Sequence, residues 1–225
     1  MIILGQVVWE GRVGCAEAPV LTVGVDQVVV EADLAGGRLV CPACGVGRLA
    51  RWGWARARTV RGVGRLRPRR GRCRHRGCRV THVLLPVVCL VRRADGVEVI
   101  GAAFEAAARG LGQRRVAELV GRAASTVRGW LGRLAGRGLR VRAAFAVLVR
   151  ALDPAGQVAV EAAGGVLAGP VAMVAAAARA AERRWAERVR VLSRWELASF
   201  VSGGGLLLPG FVPESINASP RLPGW

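Results

Sequence analysis

The 225-residue chain is 52% apolar and 22% charged, which excludes wholesale disorder and leaves enough chain to bury a core. Its 34 basic residues, all arginine, stand against 15 acidic ones for a net charge of +19, and neither lysine nor tyrosine occurs. A GC-rich codon bias explains arginine in place of lysine but not the shortage of acids, so a polyanionic partner is expected, nucleic acid ahead of membrane.

Residues 1–8 are apolar, but no basic stretch precedes them and Glu10 and Arg12 follow at once, so no secretory signal is expected. Within an N-terminal part, 1–38, the β-branched runs Val20–Val25 and Val28–Val30, split by Asp26-Gln27, predict short strands. Ala35-Gly36-Gly37 is a turn leading into Cys41. Residues 34–94 then hold 16 arginines and no acid, so one segment carries +16 of the +19. An ordinary solvated face would be interspersed with Asp and Glu; this pattern points to nucleic-acid contact. From Leu39 to about Leu85, short Val, Trp, Leu and Thr runs alternate with Arg and Gly. That suits small twisted hairpins with too little apolar surface to fold unaided. Pro86 closes the segment, and Arg92-Arg93 links it to the next.

Inside this segment, Cys41-Pro42-Ala43-Cys44-Gly45 is a knuckle with two thiolates two residues apart. Cys73-Arg74-His75-Arg76-Gly77-Cys78 supplies a second pair. Two such pairs fill a tetrahedral Zn²⁺ shell without an open position, which predicts one structural ion in an Arg-rich ribbon, 39–94. Zinc also answers the shortage of apolar surface, because its binding free energy becomes folding free energy. The flanking arginines are expected to lower the thiol pKa values. His75 and His82 make Cys3His sets conceivable, but four cysteines already complete the shell, and both histidines are left out. Cys15 and Cys89 have no spaced partner; Cys89 reads as a small core residue.

Asp95-Gly96 opens a helical part, 95–138. Val97, Ile100, Phe104, Ala108 and Leu111 recur at helical spacing until Gly110 and Gly112. A second helix, Gln113 to Val120, turns at Gly121 into a third that runs to about Leu134, with Ser125 as its expected N-cap. Small Ala117 sits at the crossing, and Val127 and Trp130 plug the third helix back. This is the spacing of a helix-turn-helix. Ser125, Thr126 and Arg128 are the candidate base readers at the start of the third helix. Arg56, Arg58, Arg65, Arg67, Arg69 and Arg70 of the ribbon, with Arg122 and Arg133, are the candidate contacts to the DNA backbone.

Ala-rich helices are expected over 139–152 and 170–201, with Trp185 and Trp195 as core or partner contacts. The uncharged run Ala162–Ala178 contains Gly164, Gly165, Gly169 and Pro170 and falls short of a membrane span. Glycines and prolines predict a flexible tail over 202–225. The expected class is α+β: a small zinc-ribbon β-hairpin module followed by a mainly helical part containing a helix-turn-helix.

The Pro-containing Cys-x-x-Cys-Gly, the Arg-rich hairpin, the Arg-Cys-x4-Cys knuckle and the helix-turn-helix resemble the N-terminal DNA-binding part of bacterial insertion-sequence transposases. They are also similar to a family of small proteins from high-GC bacteria with the same ribbon, including the Thr81-His82-x-Leu84-Leu85-Pro86 stretch. The resemblance covers roughly residues 39–134 and implies DNA recognition for a mobile element. Such transposases continue into a catalytic domain with three spaced carboxylates. Here the C-terminal part offers Asp153, Glu161, Glu182, Glu187, Glu196 and Glu214 without alternating strands and helices around them, so no enzyme is expected. The leading expectation is a double-stranded-DNA-binding accessory or truncated protein of a mobile element in a bacterial cytoplasm. It would recruit a separate transposase or integrase subunit, or pair as a homodimer, through the Ala-rich helices. A helix-turn-helix transcription regulator and an RNA-binding zinc ribbon are the alternatives.

Overall fold

The computed structural model describes residues 20–154, 165–189 and 192–211. Cys15, Glu161, Glu214 and the Trp185 side chain lie outside what is described. The fold is α+β, with strands first and helices after. The strands are β1 (Val20–Val23), β2 (Leu49–Trp54), β3 (Arg58–Val60), β4 (Gly64–Leu66), β5 (Arg69–Cys73) and β6 (Thr81–Pro86). Helix α1 (Gln27–Ala35) lies between β1 and β2. After β6 come α2 (Val97–Ala108), α3 (Gln113–Leu119), α4 (Ala124–Ala135), α5 (Gly138–Leu152), α6 (Ala168–Val189) and α7 (Arg194–Val201).

Val28–Val30, expected as strand, belong to α1. The Asp26 carboxylate accepts from the Val28 and Val29 amides at 2.8 and 3.4 Å, an N-cap that outweighs the β preference of three valines. Val30 and Leu34 then fall on one face and pack beside Leu49, Leu84 and the buried sulfurs of Cys41 and Cys73. This is the small core of the basic half. Its sheet has the order β1-β6-β5-β2, with β1 parallel to β6 and the other pairs antiparallel. The β3–β4 hairpin stands apart. Its Arg61 amide donates to the Ala94 carbonyl, and the Gly96 amide donates to the Arg61 carbonyl, so the hairpin is joined by backbone to the start of α2.

The larger core gathers α2 (Ile100, Phe104), α4 (Val127, Trp130, Leu134), α5 (Phe145, Leu148), α6 (Met173, Ala177, Ala181) and α7. Residues 170–201, expected as one helix, form two. Ser193 caps α7 with a reciprocal capping box to Glu196, and Ser193 also bonds Glu98 of α2. Trp195 is buried as expected, on Phe104, with its indole N–H on Glu105 at 2.8 Å. Residues 202–211 are not the start of a loose tail. Leu206, Leu207 and Phe211 are buried in the helical core, and the Gly204 carbonyl accepts from Val91. The remainder of that expectation, 212–225, lies outside the described residues. Among the described residues no helix is long and apolar enough to cross a membrane.

Candidate metal centre and nucleic-acid interface

The two knuckles are brought together by β2 and β5, whose register sets Leu49 against Cys73. Cys41 and Cys44 precede β2; Cys73 ends β5, and Cys78 lies in the loop to β6. The four Sγ atoms all lie within 4.8 Å of one another, with Cys41–Cys78 at 3.8 Å and Cys44–Cys73 at 3.7 Å. Ligands about 2.3 Å from a tetrahedral centre stand about 3.8 Å apart, so the spacing fits a metal ion held by these four sulfurs. Two sulfurs are buried and two half-buried, a closed structural site rather than an open one.

Local backbone explains the first knuckle. Gly45 adopts φ +69°, and its amide returns to the Cys41 carbonyl. Gly47, which the sequence reading passed over, is the tighter constraint: its amide donates to Cys44 Sγ at 3.3 Å, and a Cβ there would overlap Cys73 Sγ. In the second knuckle the left-handed residue is Arg79 (φ +54°), not Gly77, and the amides of Cys78 and Arg79 both donate to the His75 carbonyl.

The thiol pKa values depart from the expectation that arginines lower them. Burial pushes Cys41 up to about 12 and also raises Cys73. At Cys44 burial acts upward too, but hydrogen bonds from the Gly47 and Val46 amides, together with those from the Cys73 and Cys41 thiols, outweigh it and hold the thiol down at about 6. Backbone amides and neighbouring thiols, not guanidinium groups, do the lowering at Cys44. Two buried thiols that resist ionisation, Cys41 and Cys73, beside one inclined to the thiolate, Cys44, form part of a donor set that a divalent cation would complete. His75 is exposed; His82 is fully buried with Nε2 at 3.2 Å from Cys41 Sγ, a neighbour that orients a ligand. Cys89 is buried with Val60 and Leu85, as expected of a small core residue.

The helix-turn-helix geometry is also assembled. Gly121 turns the chain at φ +61°, Ala117 is buried at the crossing, and Gln113 Nε2 ties the start of α3 to the Ala124 carbonyl at 2.8 Å. Ser125 is not the cap: Ala123 occupies that position without a side-chain bond, and Ser125 is an exposed residue of the first turn. Ser125 and Arg128 are exposed and Thr126 half-buried, at the N-terminal end of α4. Ser125, Thr126, Gly129, Trp130 and Arg133 line an open cleft together with Arg93 from the inter-module link.

Arg92-Arg93, expected only as a link, also lies beside α4. Arg92 takes φ +59°, rare for a residue with a side chain, and delivers Arg93 to the flank of α4. Burial, followed by the charges of Arg133, Arg137 and Arg92, pulls the Arg93 guanidinium below its usual range. Arg137 is lowered by burial and by Arg133 and Arg140. Among the described residues no carboxylate pairs with Arg93, Arg133 or Arg137, so cations crowd beside the exposed face of α4.

The other backbone candidates divide. Arg56, Arg65 and Arg67 are exposed, and Arg58 and Arg70 half-buried. Arg69 has a fold-holding position: its Nε lies 2.7 Å from Glu31, which also takes Arg51 at 2.7 Å, and its guanidinium covers Trp54. Arg122 is likewise committed, its side chain 20% exposed and paired with buried Asp95, which pins the helix-turn-helix to the start of α2.

No protein-family model, curated protein or solved structure matches the chain.

Proposed function

We propose that the protein binds double-stranded DNA sequence-specifically, with α4 entering the major groove and a ribbon, held by one structural Zn²⁺ on Cys41, Cys44, Cys73 and Cys78, gripping the backbone. The observation that carries the reading is the N-terminal face of α4. Ser125, Thr126 and Arg128 are offered outward from a buried Ala117–Val127–Trp130 crossing, and the uncompensated Arg93, Arg133 and Arg137 flank that face. Base edges meet the start of a recognition helix, and phosphates meet the cations beside it. Four-thiolate tetrahedral sites favour zinc among abundant divalent ions.

In this reading the chain acts as an accessory of a mobile element and works beside a separate transposase or integrase subunit that cuts the DNA. Leu139, Ala143 and Val147 recur every fourth residue on α5 and remain exposed, the surface such a subunit or a second copy would meet.

Duplex affinity should fall steeply with salt. With about six arginines on phosphates, the log–log slope is expected on the order of −5. Arg56→Ala and Arg65→Ala, at exposed positions without ion pairs among the described residues, should each weaken every duplex and reduce the slope by about one or less. Arg93→Ala should do the same. A titration across salt concentrations measures all three, and a slope near zero would remove the ribbon from the DNA backbone.

A further inference from the structure

Helix α1 covers one face of the basic half's sheet; on the other face Leu85 of β6 is buried with Val60 and Cys89, while Ala50, Trp52, Arg70 and Arg72 of β2 and β5 are partly or fully exposed. Side chains alternate along a strand, so the pairs Leu49–Cys73 and Arg51–Gly71 face α1, while Ala50–Arg72 face outward. The alternation breaks between Arg51 and Gly53, where β2 carries one residue more than β5. Gly53 takes φ +128°, a conformation that excludes side chains, and the extra residue is Trp52. The bulge turns Trp52 out beside Arg72, whose guanidinium lies 4.2 Å from the ring centroid, and leaves it 52% exposed. Arg70 shares this outward face, and neither Arg70 nor Arg72 has an ion pair among the described residues.

An exposed tryptophan on an open sheet, with cations to either side and no acid in the segment, suits a ligand that offers both a flat aromatic surface and negative charge. A duplex hides its base faces in the stack. Unpaired nucleotides present them. We propose that this outer face is a second nucleic-acid site, separate from α4, that binds single-stranded DNA by stacking a base on Trp52 while Arg70 and Arg72 hold adjacent phosphates. With Arg72 stacked on the ring and half of Trp52 exposed, a base would add to a pile already begun. An accessory protein with both sites would hold a duplex sequence next to a frayed or nicked strand.

The test uses the full-length, metal-loaded protein with labelled oligo-dT of twenty nucleotides and, separately, a duplex. Trp52→Ala should weaken oligo-dT binding about tenfold or more, with duplex affinity changed less than about twofold and metal content unaltered. Trp52→Phe, which keeps a stacking surface, should retain most of the single-strand affinity. Arg128→Ala should leave oligo-dT binding intact. The proposal is overturned if the parent does not bind oligo-dT, if Trp52→Ala binds it as the parent does, or if Arg128→Ala abolishes it. Loss of duplex binding by the parent would instead count against the reading of α4.

Discussion

Cys41→Ser or Cys73→Ser is expected to abolish metal binding and unfold the β2–β5–β6 sheet with α1, while the helical core from α2 to α7 stays folded. The two halves differ in what holds them. The helical core buries Phe104, Phe145, Trp130, Trp195 and many aliphatic side chains, and needs no ion. The ribbon core has Val23, Val30, Leu34, Leu39, Leu49 and Leu84 around two buried sulfurs, too little apolar area to offset the ordering of its strands. Structural zinc contributes about 10–16 kcal/mol in comparable small sites, which is the larger part of such a module's stability. Gly47→Ala should have the same effect without removing a ligand, because the new methyl group overlaps Cys73 Sγ. Elemental analysis gives the ion, and amide hydrogen exchange gives the map of unfolding. A metal-free protein with protected β5 and β6 amides would show that the sulfurs are not a metal centre.

Trp195→Ala should cost about 3–5 kcal/mol, the range for emptying an aromatic site in a packed core. Trp195 joins α7 to α2 through Phe104 and Glu105. Gly101 is the counterpart on α2: a Cβ there would overlap the indole ring. Gly101→Ala should therefore destabilise the parent by about 1–3 kcal/mol through overpacking, yet be close to neutral once Trp195 is alanine. Thermal or denaturant unfolding of the four variants measures this cycle. Additive effects would mean that the two residues do not touch.

What could be read from the sequence was what is decided locally. Cys41, Cys44, Cys73 and Cys78 announce their pairing because a knuckle is built within a few residues, and strand register brings the two together. Ala117, Gly121, Val127 and Trp130 likewise specify a turn between two short helices. The misreadings came where one local signal overrode another. Three valines suggested a strand at 28–30 until the Asp26 cap prevailed, and Ser125 looked like a cap although the chain turns into helix at Ala123. The Ser193–Glu196 capping box stood in the sequence and would have divided the last helices. Long-range pairings carry no local signal at all. Glu31 captures Arg51 and Arg69 from 20 and 38 residues away. Arg93 meets Arg133 and Arg137 only once α4 has packed, and the burial of Leu206, Leu207 and Phe211 depends on a core built far upstream.

The proposed division of labour between α4 and the ribbon is open to one direct measurement: selection of binding sites from random duplex DNA with the parent protein and with Arg128→Ala. Arg128 is exposed in the first turns of α4, where a guanidinium can bond a guanine edge with two hydrogen bonds. The parent should enrich a defined motif. Arg128→Ala should lose preference at one position of it, at a cost of about 1–3 kcal/mol on the preferred site and little on random duplex. Arg65→Ala, run in parallel, should return the parent motif with weaker binding throughout. An unchanged motif from Arg128→Ala, together with an altered one from Arg65→Ala, would make the ribbon the reader and contradict the assignment of α4.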